Sequence, residues 1–242
     1  MVNKYFLTRW DALKIIALLL MFIDHAGHFY FHNELWLRAI GRTCAPIFFF
    51  LSGFAPHYRF NTRLMLFAII LTILDWGMQN QISTLNILFT IILGRAILGW
   101  LERHNSNPLK LHEWVIGCIA LSTSVFITQY GSLGFLFMLA GFIYRHKLQY
   151  HQNTPSRFLI VVTLIYAIAV CLLGNYEISR WFIVGIGFVL INALLRWFAR
   201  EPTGQLPCST YFAKALLPLS WYTAEIYTGH IIILILLTGH KL

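Results

Sequence analysis

The residues best placed to do chemistry in this sequence are Lys14 and His25, which lie in the first long apolar segment. Their spacing of 11 residues leaves the two side chains only about 20° apart around a helix and about 16 Å apart along its axis. A lysine can bind an anionic phosphate, and a histidine can act as a base near neutral pH. The two residues therefore form a stripe suited to a long molecule with a phosphate at one end and a reacting group at the other. Coenzyme A has that shape.

Two residues close to this histidine in sequence are expected to support it. Asp24 and His28 are one helical turn apart and can meet, whereas the neighbours Asp24 and His25 point in different directions. His25 therefore needs its own partner from another helix or from water. The run His25, His28 and His32 also permits two metal ligands on one helix. Because no second cysteine or histidine pair accompanies this run, the sequence predicts no metal site.

Other polar residues fall inside apolar segments, where a charge is costly unless it is paired or lines a wet cavity. Arg42 and Arg95 are two of them, and a guanidinium can stabilise negative charge on an oxyanion or on phosphates. Ser52 can be a nucleophile, although a Ser-Gly pair after three phenylalanines is also typical of close helix packing. Residues whose role the sequence leaves open, between site, interfacial anchor and interhelical contact, are Asp75, Tyr222, Glu225, Tyr227 and His230.

The elements that must position these side chains are membrane helices. Of the 242 residues, 58% are hydrophobic and 11% are charged, which leaves too little polar surface for a soluble protein. Apolar runs predict an all-α integral membrane bundle of about nine transmembrane helices, in a single domain over residues 1–242. The runs lie near residues 11–31, 36–57, 63–79, 84–101, 112–128, 131–145, 157–174, 180–198 and 215–238.

The distribution of positive charge predicts the orientation in the bilayer. Most of the 18 lysines and arginines fall in loops that are cytoplasmic if the N-terminus is cytoplasmic, whereas Arg38, Arg180 and Lys241 fall on the other side. This bias favours a multi-pass inner-membrane protein with its N-terminus inside the cell. Basic residues can also indicate nucleic-acid binding, but no soluble domain carries a basic face here. The lipid bilayer is the expected partner, and the four scattered cysteines are expected to be apolar filler.

Several segments resemble those of a known family. The stretches RWDALKIIA at residues 9–17 and IDHAGH at residues 23–28 resemble the opening helix of the TraX family, membrane proteins that acetylate the N-terminus of conjugative pilin. The lysine and histidine separated by ten residues also resemble the mark of the acyltransferase type 3 superfamily. Similar to further motifs of these proteins are PIFFFLSGF at 46–54, NILFT at 86–90 and YTAEIYTGH at 222–230.

The resemblance implies transfer of an acetyl group from cytoplasmic acetyl-CoA to an acceptor on the far face of the membrane. His25 would then be the catalytic residue, and Lys14 would help to hold the donor. The acceptor would be a pilin N-terminus or, because the motif at 46–54 is shared with sugar O-acetyltransferases, a surface glycan. Readings from other classes are a small proton or solute transporter and a structural subunit of a secretion or pilus assembly. The sequence leaves open the acceptor, the oligomeric state and a covalent acetyl intermediate.

Overall fold

A computed structural model describes residues 6–31, 34–59, 61–79, 85–104, 130–146, 154–173 and 178–238. In these ranges the regular structure is helical, apart from isolated bridge residues such as the antiparallel pair of Thr8 and Gln205. The all-α prediction is thereby confirmed for the described residues, and the predicted span at 112–128 lies outside them. The helices are α1 (Arg9–Phe29), α2 (Leu35–Gly41), α3 (Cys44–Phe54), α4 (Thr62–Gln79), α5 (Ile87–His104), α6 (Gly131–Arg145), α7 (Thr154–Leu173), α8 (Ile178–Arg200), α9 (Thr210–Trp221) and α10 (Thr223–Thr238).

Among the described residues, three helices are long and apolar enough to cross a membrane. They are α1, the segment Pro155–Leu172 of α7 and the segment Trp181–Arg200 of α8. Helices α9 and α10, which meet at an angle of 71°, make a fourth if they are counted as one broken span. The segment Thr62–Leu74 of α4 and helix α6 are apolar but shorter. These helices indicate a membrane protein.

Two of the predicted spans are each broken into two helices. The span predicted at 36–57 consists of α2 and α3, and a turn at Arg42 and Thr43 separates them. The amide of Thr43 donates to the carbonyl of Ile40, three residues earlier, at 3.1 Å, which tightens the end of α2. Pro46 lies in the first turn of α3, where its missing N–H costs no helical hydrogen bond.

The last predicted span, 215–238, begins earlier than predicted and bends at Tyr222. Helix α9 starts at Thr210 and contains Pro218, and Tyr222 separates it from α10. A proline inside a helix removes one backbone donor and crowds the preceding turn. Tyr222 lies four residues after Pro218, and at this point the chain bends so that α10 leaves α9 at an angle of 71°.

The described chain divides into two compact units. The first unit comprises Met1–Phe48 and Thr163–Leu234. In it α1 packs against α2 and α9, and α2 packs against α8. Gly41 allows the closest of these approaches, since a Cβ atom there would lie 2.4 Å from the Cα of Asp24. Asp24 is thus held at the crossing of α1 and α2.

The start of α1 is fixed by a capping box. The side chain of Thr8 accepts a hydrogen bond from the amide of Asp11 at 3.2 Å, and the carboxylate of Asp11 accepts one from the amide of Thr8 at 3.1 Å. Arg9 adds an ion pair to Glu201 at 3.0 Å. These contacts satisfy the first amides of the helix and set where the stripe from Lys14 to His25 begins.

The second unit comprises Phe49–Val162 and Ile235–Leu242. In it α5 packs against α4 and α6. The backbone of α3 touches that of α6, because a Cβ atom on Gly53 would lie 1.7 Å from the carbonyl oxygen of Met138 and one on Gly141 would lie 2.1 Å from that of Phe50. The Ser-Gly pair of α3 therefore stands at a tight helix crossing, as the packing interpretation of Ser52 predicts.

Candidate functional site

The candidate site is built around the imidazole of His25 on α1. The ring of His230, on α10, stacks on it with the centroids 5.1 Å apart and the planes 18° apart. The ring of Tyr227 lies 6.2 Å from that of His25. Phe22 approaches His230 edge-on at 4.5 Å. Two helices thus bring two histidines together inside a small aromatic cluster, so His25 receives from another helix the partner that the sequence required.

Both histidines keep one buried ring nitrogen without a hydrogen-bond partner among the described residues. These atoms are Nδ1 of His25 and Nε2 of His230. A buried polar atom left unpaired costs about 1–3 kcal/mol, so native proteins seldom keep one without a use. Two such nitrogens on stacked rings give this cluster two positions at which a substrate can donate or accept a proton.

Arg38 of α2 joins the two residues that were expected to support His25. Its Nε atom lies 3.9 Å from Oδ1 of Asp24, and its Nη1 atom lies 3.1 Å from Nδ1 of His28. An arginine donates and does not accept, so Nδ1 of His28 is the acceptor and the ring proton resides on Nε2. The predicted support pair is therefore organised by a cation from the neighbouring helix.

The sequence prediction missed one member of this site, Arg38, and left the role of another, His230, open. Arg38 was assigned to a loop on the outer side, although an arginine at the edge of an apolar segment and a buried acid on the preceding helix were signals that the two would pair. His230 was singled out as a buried ionisable residue, but its role was left open. Sequence spacing cannot relate residues on separate helices, and the contact between His230 and His25 appears only in the folded chain.

Lys14 contacts the bend between α9 and α10. Its Nζ atom donates to the backbone carbonyl of Ser220 at 3.2 Å, and the hydroxyl of Thr223 donates to the same carbonyl at 2.9 Å. The hydroxyl of Ser220 in turn donates to Asp11 at 2.6 Å. The stripe from Lys14 to His25 thus faces one bent helix pair along its length. A lysine has three N–H donors, so this contact leaves two for a ligand.

The remaining predicted site residues are distributed over both units. Arg42 ends α2 in the first unit, where its carbonyl accepts a hydrogen bond from Tyr166 at 3.4 Å. Ser52 and Arg95 belong to the second unit. The Nη2 atom of Arg95 donates to the carbonyl of His57 at 2.6 Å.

Three further polar residues that the sequence singled out lie on other helices or outside the described part of the chain. Asp75 lies on α4, and its side chain is outside the described part of the chain, as is the whole of His32. Glu225 lies in the first turn of α10. Within the described ranges, no group of three or more histidine, cysteine, aspartate or glutamate side chains is arranged to hold a metal ion.

Comparison with known proteins gives one family and one relative. The family described as TraX protein matches residues 9–238. A protein of Rickettsia prowazekii (strain Madrid E), described as uncharacterized protein RP591, is 30% identical over 140 residues. That alignment covers 57% of this chain and 56% of the relative, so the chain spans little more than half of the relative's length. No solved structure matches the chain.

Proposed function

The chain belongs to the TraX family, which it matches over residues 9–238, and on that premise we propose that it is an integral-membrane acetyltransferase. It transfers an acetyl group from cytoplasmic acetyl-CoA to an amine or hydroxyl at the extracytoplasmic face. The N-terminal amine of a pilin is the acceptor that the family suggests. The observation that carries the proposal is the stacked pair of His25 and His230, each with a buried ring nitrogen that has no hydrogen-bond partner among the described residues.

The proposed setting is the inner membrane. The apolar runs and the loop charges support about nine spans with a cytoplasmic N-terminus. In that orientation Lys14 lies towards the cytoplasm and His25 lies deeper along the same helix face. The donor enters from the side of Lys14, and the acceptor reaches His25 from the opposite side.

In the proposed reaction His25 acts as the general base. It removes a proton from the acceptor as the acceptor nitrogen or oxygen attacks the carbonyl carbon of the thioester. The tetrahedral oxyanion then collapses, the carbon–sulfur bond breaks, and the departing thiolate takes the proton from the imidazolium of His25. Acetylated acceptor and coenzyme A are the products, and the histidine returns to its starting state.

The neighbours of His25 serve this step in different ways. His230 packs against its ring and fixes its orientation, and Arg38 holds Asp24 and His28 beside it. Lys14 contributes its two remaining N–H groups to the donor. The contacts with the donor or the oxyanion that the sequence suggests for Arg42, Arg95 and Ser52 stay predictions from the sequence alone.

Labelled acetyl-CoA supplied to inverted membrane vesicles tests the proposal. Incorporation of label into a pilin acceptor is expected for the unaltered protein, and His25→Asn is expected to lower it by about 100-fold or more, because a positioned base contributes about that much. His146→Asn is the matched control, since His146 lies at the end of α6 in the second unit. Equal incorporation by the unaltered protein and His25→Asn, at equal protein levels in the membrane, would sink the proposal.

A further inference from the structure

The second unit contains a cleft between the start of α4 and the end of α5. Its volume is about 420 Å³, which lies within the range of about 300–1,000 Å³ that small-molecule sites occupy. Leu64 and Ile92 supply apolar walls from the two helices. The polar lining is dominated by three arginines, Arg59, Arg95 and Arg103.

The cleft carries an excess of positive charge. Its one acidic lining residue is Glu102, which lies 3.5 Å from Nη1 of Arg145 and 3.7 Å from Nε2 of His146. Among the described residues, no ion pair joins a carboxylate to Arg59, Arg95 or Arg103. The one acid is therefore shared with cations outside the lining, and the three arginines inside are left for an anionic ligand.

Two of these arginines are held in place by the protein. Arg95 donates to the carbonyl of His57 at 2.6 Å, and its guanidinium lies 5.9 Å from the ring of Tyr58. The Nε atom of Arg103 donates to the carbonyl of Gly99 at 3.0 Å, which leaves its Nη groups for a ligand. A guanidinium that is already oriented loses less side-chain freedom when it binds.

The aromatic side chain that lines the cleft, Tyr58, adds no negative charge that would repel an anionic ligand. The hydroxyl of Tyr58 donates to the carbonyl of Gly53, and burial raises the pKa of this tyrosine to about 12. Tyr58 is therefore neutral at physiological pH. Its ring supports Arg95 from within the cleft, and Arg145 approaches the same ring at 5.8 Å.

We propose that this cleft binds a phosphate-bearing ligand at the cytoplasmic end of α4 and α5. The planar fork of a guanidinium matches two oxygens of one phosphate, and several arginines around one cleft suit a ligand with more than one negative charge. The phosphates of a nucleotide and the headgroup of an anionic lipid share this chemistry. The cytoplasmic side follows from the charge of the loops, and the proposal does not depend on acetyl transfer.

Binding to the full-length protein in nanodiscs of phosphatidylcholine tests the cleft. Coenzyme A and inorganic phosphate are titrated by calorimetry, and phosphatidylglycerol is introduced into the discs and counted by native mass spectrometry. Arg95→Gln and Arg103→Gln are each expected to weaken the binding of at least one probe by about tenfold or more, the loss expected for a charge-assisted hydrogen bond. Arg157→Gln, which removes an exposed arginine of α7, is expected to change nothing.

The outcome also identifies the source of the phosphate. Tighter binding of coenzyme A assigns the cleft to a nucleotide-bearing molecule, and tighter binding of phosphatidylglycerol assigns it to a lipid headgroup. Both results support the proposal if the two cleft variants lose them and Arg157→Gln does not. No binding of any phosphate probe, or equal binding by folded cleft variants, overturns it. The experiment measures binding to the cleft and not acetyl transfer. A loss of acetyl transfer in His25→Asn therefore does not affect the outcome for the cleft.

Discussion

At the residue scale, His25 is defined by its contact with His230. The two rings stack across separate helices, and each exposes a nitrogen to the interior of the first unit. A base works only when its nitrogen is held in line with the proton that it removes. The stacked ring and the aromatic residues around it restrict His25 to a small range of orientations.

Replacing His230 by alanine tests this positioning role. His230→Ala removes the ring that stacks on His25, so we expect kcat for acetyl transfer to fall by about tenfold or more while KM for acetyl-CoA stays unchanged. His230→Phe is the matched control, because it keeps an aromatic ring of similar size, and it is expected to retain most of the activity. Initial rates in inverted vesicles measure both constants, and an unaltered kcat for His230→Ala would contradict the positioning role.

Arg38 and Asp24 provide a second residue-scale prediction. Arg38→Gln removes one of the two arginines that act on the carboxylate of Asp24, whose side chain is 14% exposed. It also removes the hydrogen bond from the guanidinium to Nδ1 of His28. We expect the free energy of unfolding to fall by about 1.5–3 kcal/mol, the usual cost of losing a hydrogen bond that involves a charged group. Unfolding in mixed micelles measures the change.

The double variant provides the control for this pair. Asp24→Asn removes the negative charge that Arg38 neutralises. The double variant is therefore expected to lose less free energy of unfolding than the two single variants lose together. Additive losses would mean that the 3.9 Å approach of these groups contributes no interaction energy.

At the element scale, the site depends on how closely pairs of helices approach and where one helix bends. Lys14 holds the carbonyl of Ser220 at the end of α9, and α10 then carries Tyr227 and His230 to His25. The bend lets one helix, α1, contact both halves of the pair. In a continuous last helix Tyr227 and His230 would follow the axis of α9 and would not lie where they contact His25.

Close helix approach in the second unit can be tested with two glycines. Gly141→Ala places a methyl group 2.1 Å from the carbonyl oxygen of Phe50, so α3 and α6 must separate. We expect a loss of about 1–3 kcal/mol in the free energy of unfolding, as for other overpacked sites. Gly185→Ala is the matched control, because its methyl group would meet no atom within 4 Å.

The control is expected to be neutral or slightly stabilising, since alanine favours a helix by about 1 kcal/mol over glycine. Thermal unfolding of both variants in the same detergent provides the comparison. Equal melting temperatures would contradict the tight crossing of α3 and α6.

At the scale of the whole molecule, the number of spans decides on which side of the membrane residue 242 lies when residue 1 is cytoplasmic. Nine spans put these two residues on opposite sides, whereas an even number puts both on one side. Alkaline phosphatase fused after residue 242 is therefore expected to be active, and the same enzyme fused after residue 105, in a loop predicted to be cytoplasmic, is expected to be inactive. Green fluorescent protein at the same positions serves as the reciprocal control, and fluorescence at the C-terminus would contradict the proposed topology.

The sequence by itself determined the all-helical class, the membrane character and the stripe from Lys14 to His25. Hydropathy and helical periodicity are properties of neighbouring residues, so they can be read without knowing where distant segments lie. Membership of the TraX family is also established by the sequence, because the family match over residues 9–238 depends only on which residues follow one another. Helix boundaries were less accurate, because Arg42 and Pro218 act through local turns that the apolar runs conceal.

Only the tertiary structure decided which side chains meet. Lys14 and Ser220 are 206 positions apart in the chain, and the stacking of His230 on His25 likewise joins the first helix to the last. Such pairs depend on a bend at Tyr222 and on the close crossing that Gly41 allows between α1 and α2. Residue spacing reports the azimuth of a side chain on its own helix, whereas the distance between two helices is set by the packing of all the residues at their crossing.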